Sequence, residues 1–316
     1  MKASLAQRRP GTARTAQLDA ASMAVPRWLT IFTPTYNRAD LLPRLFHSIE
    51  QQARPGDHVE WLIIDDGSSD HTSDVLAGFA AERPDLVRHL RVANGGKHRA
   101  INRAAQLARG DWILIVDSDD LLAAGALEHI RSLLEAAHGD ARIGMLRGLR
   151  SFPESGHASR FNVPQNPGSH AAWVSSQAGF DTAELLRKSA LQAHPFPEHA
   201  GERFMAESWL WHDLDKTHLT QFVDRAWVEC FYQPDGLSAQ SGAARAGSPL
   251  GAMDVYMAMY QSTARWPVRA RAAVNWWRYW FHARSRKAAV AAGRVPGLFA
   301  PAGWLLSRAD RRITGA

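Results

Sequence analysis

The 316-residue chain has one cysteine, Cys230, so no disulfide can close within it, and a reducing compartment suits such a chain. It lacks any apolar run of the ~18 residues that a membrane-spanning helix needs. Its first residues also lack the apolar block of a secretory signal, and a cytoplasmic protein is expected. The two ends are nearly devoid of acidic residues. Residues 1–27 carry a net +4 and residues 265–316 a net +10, whereas residues 28–264 carry −8. Basic ends suit anionic surfaces such as headgroups or nucleic acid. A specific nucleic-acid reader would want a basic groove in its folded body, and the acidic body argues against one. A glycine fingerprint after the first apolar segment is missing too. Thr33-Pro34-Thr35-Tyr36 stands in its place, which argues against a dinucleotide-dependent oxidoreductase.

What the chain does have is a stretch around which the rest is organised, Gly110-Asp111-Trp112-Ile113-Leu114-Ile115-Val116-Asp117-Ser118-Asp119-Asp120-Leu121-Leu122. Its apolar run reads as a strand buried on both faces, and it ends in three carboxylates. Acids this close repel one another, so a fold holds them where a cation or a set of donors compensates the charge. The end of a strand in an open α/β sheet is where ligands gather. A simpler role is also open, because Asp119 or Asp120 can cap a following helix over Ala123–Ala137.

Upstream, the pattern alternates strand and helix. Residues 1–27 have no apolar period and read as a disordered basic tail, with Met23 a second candidate start. Trp28–Thr33 reads as a strand broken at Pro34. A helix capped by Asp40 runs to about Gln52, with Leu41, Leu45, Phe46 and Ile49 inward. Glu60–Ile64 is the second strand and runs into Asp65–Asp70. A helix over His71–Glu82, a short strand near Val87–Val92, a turn at Asn94-Gly95-Gly96 and a helix over His98–Ala108 follow. Such alternation predicts an α/β fold with a parallel, right-handed βαβ sheet and helices on both faces. The polar loops 33–38, 65–70 and 117–120 then lie side by side.

Four segments in this order resemble the family 2 glycosyltransferases: Thr33-Pro34-Thr35-Tyr36-Asn37-Arg38, Ile64-Asp65-Asp66-Gly67-Ser68-Ser69-Asp70, Gly95-Gly96-Lys97-His98-Arg99-Ala100-Ile101-Asn102 and Asp117-Ser118-Asp119-Asp120. The resemblance implies a GT-A fold, Rossmann-like and mostly parallel, and an inverting enzyme using a nucleotide-diphospho-sugar. It implies a donor half at 28–122 and an acceptor half at 123–240; beyond them a helical, Trp/Arg-rich extension is expected at 241–316. Cell-surface polysaccharide synthesis, with a saccharide or lipid-linked acceptor, is the setting it suggests. A catalytically silent GT-A scaffold would be expected to have lost an acid from 117–120, and none is lost.

Leaving-group departure puts negative charge on a diphosphate, and a divalent cation compensates it without proton transfer. Oxygen ligands suit Mg²⁺ or Mn²⁺. The acids Asp117, Asp119 and Asp120 are assigned to metal and donor jointly, with Ser118 among them. The resemblance gives Tyr36 a stacking role on the base and Asp66 a base hydrogen bond. That pair suits uridine without excluding guanosine or thymidine. Lys97, after two glycines, can pair with pyrophosphate, or be merely solvated. Thr33, Pro34, Arg38, His98 and Asn102 lie on the same rim. For the base, the resemblance points to the segment Phe196–Trp211, where Glu207 is the best-placed acid. Many members have Glu-Asp at this point and this chain has Glu207-Ser208. Residues 140–180 read as an irregular acceptor-side loop over a strand near Ile143–Leu149, with Trp173 either stacked on sugar or in the core. Closing strands are expected at Thr220–Val223 and Trp227–Tyr232, then a family-like loop at Gln233–Ser238.

Five of twelve tryptophans, Trp266, Trp276, Trp277, Trp280 and Trp304, fall in the basic C-terminal fifth. A helix over Arg271–His282 places Trp276, Trp277, Trp280 and Phe281 on one side and Arg271, Asn275, Arg278 and His282 on the other. Two readings follow: a helix lying on anionic lipid, or one packed on the catalytic body. Arg284 and Lys287 break the pattern.

Overall fold

The computed structural model describes residues 27–137, 140–153, 166–176, 181–231, 237–263, 265–283 and 295–314. The basic tail up to residue 26, the loop at 232–236, and Arg284 and Lys287 lie outside them. One eight-stranded sheet runs β3-β2-β1-β4-β7-β6-β8-β5. Its first half is β1 (Arg27–Thr35), β2 (Val59–Asp65), β3 (Val87–Arg91) and β4 (Gly110–Ile115), all parallel as expected. The second half is mixed. β7 (Thr182–Arg187) runs antiparallel to both β4 and β6 (Ile143–Ser151), β6 is parallel to β8 (Leu219–Glu229), and β5 (Leu121–Leu122) pairs antiparallel with β8.

Helices cover both faces because the strands carry apolar side chains on both. On one face α1 (Leu42–Glu50), α2 (Thr72–Glu82) and α4 (Ala126–Ala137) pack Leu45, Phe46, Phe79 and Ile130 against Ile31, Trp61 and Leu114. Phe46 and Phe79 stack with ring centroids 4.3 Å apart. On the other face α3 (Lys97–Leu107) and α6 (Lys188–Ala193) join Ile101 and Leu191 to Phe32 and Ile113. The short α5 (His170–Ser176) lies beyond β6, and α7 is Ser208–Leu214.

Several local expectations are corrected. β1 does not break at Pro34 but continues to Thr35, with Pro34 opposite Ile64 of β2. Pairing with β4 has ended at Phe32, so the missing N–H of Pro34 costs no ladder bond on that side. Asp40 does not cap α1. Leu41 holds the N-cap position without a side-chain bond, and the Arg38 carbonyl accepts from the Leu41 and Leu42 amides. Asp119 and Asp120 cap no helix, since β5 intervenes before α4. The two closing strands are one long β8.

Three helices follow the sheet: α8 (Leu237–Gly247), α9 (Pro249–Ser262) and α10 (Trp266–Trp280), and after a 3-10 turn at Gly297–Phe299 comes α11 (Ala300–Thr314). α9 joins the body rather than standing apart. Val255 enters the second core cluster, and both Glu202 carboxylate oxygens accept the Leu250 and Gly251 amides at 2.9 and 2.8 Å. Of the expected aromatic side of α10, Trp276 is buried with Met253 and Met257 of α9, and Trp277 and Trp280 pack partly against the same cluster, which Tyr279 joins. Arg278 and His282 pair with Asp310 of α11. The lipid-facing reading of α10 therefore gives way to packing. Among the described residues no helix is long and apolar enough to cross a membrane.

Candidate active site

The loops after β1, β2 and β4 meet at one end of the sheet. Asn37, at φ 51°, accepts the Ser69 amide at 2.7 Å, and its own amide donates to Ser68 Oγ at 2.9 Å. Asp65 accepts the Ser68 amide at 2.8 Å and lies 3.6 Å from Arg91. These bonds lock the first two loops together. Tyr36 projects from them, 49% exposed, and Arg38 is half-buried beside it. Thr33 is not on the rim. It is buried in β1 and accepts the Trp61 indole N–H at 2.9 Å.

Asp66 spends both oxygens on the loop before α3, accepting the Gly95 amide at 2.7 Å and the Gly96 amide at 2.8 Å. Gly96 has φ +94°, and a Cβ there would stand 1.8 Å from the Arg203 carbonyl oxygen. Only glycine permits this approach, which brings the segment holding Glu207 over the start of α3. Asn102 acts on the same segment. Its carboxamide donates to the Phe196 carbonyl and accepts the Phe196 amide, at 2.9 and 2.8 Å, and also bonds Glu198. Asn102 thus holds the acceptor-half backbone rather than lining the donor rim, and His98 is buried against Phe196.

Lys97, the first residue of α3, joins the two halves. Its Nζ bonds Asp117 and lies 2.5 Å from Glu207 Oε1. Burial disfavours its charge, but Asp117 and Glu207 overcome that and raise its pKa. Asp117 is held below the usual carboxylate range despite burial, by Lys97 first and Arg150 second. Ser118 is buried between the acids. Asp119 is half-buried, and burial together with the neighbouring Asp117 raises its carboxyl.

Asp120 does not join the other two in one metal-ready group. Its carboxylate lies 2.8 Å from Arg150 Nη1 and 3.4 Å from the Phe231 amide, which commits it to the sheet. No cluster of three or more His, Cys, Asp or Glu poised for a metal forms among the described residues. The pair Asp117 and Asp119 still suits a hard cation that completes its shell with diphosphate oxygens and water.

The sequence reading missed Arg150. It is charged, half-buried, donates to the Thr182 carbonyl at 2.9 Å and reaches Asp117 at 3.7 Å and Asp120 at 2.8 Å. Arg147, three residues before it, is fully buried, 3.4 Å from Glu184 and close to the rings of Trp173 and Trp211. Trp173 is therefore a core residue. Two arginines inside the apolar run Ile143–Ser151 were the available signal, since a buried guanidinium needs a carboxylate close by.

Comparison with known proteins follows this geometry. The poly(ribitol-phosphate) β-glucosyltransferase of Bacillus spizizenii is 32% identical over 130 residues, 40% of this chain and 20% of that protein. The Staphylococcus aureus poly(ribitol-phosphate) β-N-acetylglucosaminyltransferase TarS is 27% identical over 128 residues, 40% of this chain and 22% of that one. The match thus spans about a fifth of these relatives' lengths. In fold, the chain is similar to S. aureus TarS 1-349 solved with UDP-GlcNAc, at TM-score 0.59 and 15% identity over 86% of this chain and 77% of that one. It is also similar to the mannosyltransferase PcManGT of Pyrobaculum calidifontis solved with GDP-Man and Mn²⁺, at TM-score 0.54 and 19% identity over 93% and 84%. The GT-A expectation for the fold holds. The model of glycosyl transferase family 2 matches residues 30–191, just over half of the chain, and the chain belongs to that family.

Proposed function

We propose that the protein is an inverting glycosyltransferase that moves a sugar from a nucleotide-diphospho-sugar to a hydroxyl of a saccharide or lipid-linked acceptor, in cell-surface polymer synthesis. The observation that carries this reading is the Lys97 ammonium between Asp117 at the end of β4 and Glu207 at the start of α7. One group for the leaving diphosphate and one acid for the acceptor proton stand on either side of a single cation. A UDP-sugar is the favoured donor, supported by the exposed ring of Tyr36 and by the UDP-GlcNAc bound to S. aureus TarS.

Asp117 and Asp119 would hold Mn²⁺ or Mg²⁺, which supplies positive charge at the diphosphate when bound. Lys97 is placed to turn from Asp117 towards the same phosphates, leaving Glu207 Oε1 to accept the acceptor's proton. The acceptor oxygen forms its bond to the anomeric carbon as the carbon–oxygen bond to the diphosphate breaks. Attack from the side opposite the leaving group inverts the centre. Arg150, 3.7 Å from Asp117 and 2.8 Å from Asp120, would position Asp117 for the metal ion while it pairs with Asp120.

Slow donor hydrolysis, with water as acceptor, tests this without knowledge of the natural acceptor. UDP-glucose and UDP-GlcNAc with Mn²⁺ are followed by NMR. The expected result is release of UDP with the β-anomer formed first, and its loss in Glu207→Gln. First-formed α-anomer would overturn inversion, and unchanged turnover in the variant would remove Glu207 from the role.

A further inference from the structure

The helix α11 is amphipathic in the wrong sense for water. Its inward face, packed on α10, is made of small and polar residues. Gly303 lies against Trp277, where a Cβ would stand 2.6 Å from that residue's own Cβ, and Ser307 is fully buried. Asp310 completes this side with its bonds to Arg278 and His282. The outward face carries the large apolar groups. Leu305 is 62% exposed, flanked by the exposed Trp304 and Leu306. At ~100° per residue, Pro301, Ala302, Arg308 and Ala309 share the outward side with Leu305.

The same surface continues into the turn before α11 and the start of α10. Leu298 is 72% exposed and Trp266 63% exposed, and the Trp266 ring lies 5.9 Å from that of Phe299. Arginines accompany the apolar groups. Arg308 stacks over Trp304 at 4.9 Å, and Arg265, Arg269 and Arg271 are exposed along α10.

We propose that this face, built from Trp266, Leu298, Trp304, Leu305 and Leu306 with Arg265, Arg269 and Arg308, docks on the surface of an anionic lipid bilayer. Exposed leucines next to indole rings and guanidinium groups fit the boundary between headgroups and acyl chains. Charge selects this occupant over a second copy of the chain. Residues 265–316 carry a net +10, with Asp310 as their one acid, so two such faces repel each other while an anionic leaflet attracts them. The body at −8 favours the opposite side, which orients the sheet away from the lipid. The docking face differs from the one that helix periodicity suggested. The indole of Trp276 is core, and the lipid-facing groups come from the segment after it. This inference does not depend on the donor chemistry.

The test is co-sedimentation of the full chain with sonicated vesicles of phosphatidylcholine alone or with phosphatidylglycerol, at low and high salt. Binding is expected to the anionic vesicles, weakened by salt, and to fall about tenfold for each leucine replaced in Leu298→Glu and Leu305→Glu. These side chains are exposed, so an unchanged urea midpoint confirms that the variants fold. Failure of the wild type to bind anionic vesicles would overturn the proposal. Equal binding by the Leu298→Glu/Leu305→Glu variant would also do so, assigning the attraction to the basic tail. A dimer in light scattering that Leu305→Glu dissociates would give the face to a second copy instead.

Discussion

Glu207 Oε1 lies 2.5 Å from Lys97 Nζ, although the two residues come from opposite halves of the chain. The same nitrogen bonds Asp117, so one ammonium neutralises two partly buried carboxylates. Replacing it in Lys97→Met leaves Glu207 without this ion pair and leaves Asp117 with Arg150, 3.7 Å away, as its remaining counter-charge. The expected loss of stability is about 1–3 kcal/mol, since the site retains some access to water. Donor turnover should fall by about two orders of magnitude or more. Urea unfolding and donor hydrolysis, measured on one preparation, check both.

Arg150 touches no substrate in this arrangement, yet Asp117 and Asp120 depend on it. Arg150→Met is expected to cost about 3 kcal/mol, because it strands a buried carboxylate at Asp120. It should also weaken metal-supported nucleotide binding by freeing Asp117 to move. Arg150→Lys restores charge but not the two-armed reach to Asp117 and Asp120, so it should recover part of the stability and little of the binding. Full recovery of both would contradict a positioning role.

The donor half was legible because its information is local. Apolar runs of strand length end in Asp65 and Asp117, and turn residues such as Gly67 and Gly96 mark where the backbone takes positive φ. The acceptor half was not, because its determinants are distant pairings. β7 runs antiparallel on β4 through Trp112 opposite Arg187, a contact that no pattern within Thr182–Arg187 announces. Asn102 reads as a rim residue until Phe196 is placed beside it. Asp120 reads as a ligand until Arg150 is placed beside it. In the C-terminal fifth, periodicity set Trp276, Trp277, Trp280 and Phe281 against Arg278 and His282, whereas the buried face of α10 is Ala272, Ala273, Trp276 and Tyr279, and Arg278 and His282 are taken up by Asp310 of α11.

Gly96 tests the joint between the halves. In Gly96→Ala the new methyl meets the Arg203 carbonyl and the residue keeps a backbone conformation hostile to a side chain. The penalty should reach at least about 3 kcal/mol, or the segment at 203–207 shifts and Glu207 leaves Lys97. Thermal melting reads the first outcome and loss of hydrolysis at an unchanged melting temperature reads the second. A stable and fully active variant would show that the close approach is not needed.

Buried histidines, His98, His170 and His212 among them, limit the stability of the fold in acid. Burial lowers His98 to about 4, with Arg99 adding, and lowers His212 to about 4, with Arg147 adding. Both are neutral when folded and take up a proton near pH 6.5 when unfolded. Their contribution is therefore present above pH 6.5 and is lost as pH falls from there towards 4. The expected loss is about 2 kcal/mol per histidine between pH 7.5 and pH 5. His212→Gln, which preserves a partner for the Ser262 hydroxyl now 2.8 Å away, should flatten that slope. Urea midpoints at the two pH values decide it.

Calorimetric titration with UDP, GDP and dTDP, each with and without Mn²⁺, in the wild type and in Asp119→Ala, tests the central claim most directly. The account predicts binding of UDP that requires the metal and weakens about tenfold or more in the variant. Absence of binding by all three nucleotides under both metal conditions would contradict it, and would leave a family 2 fold that has lost its donor site.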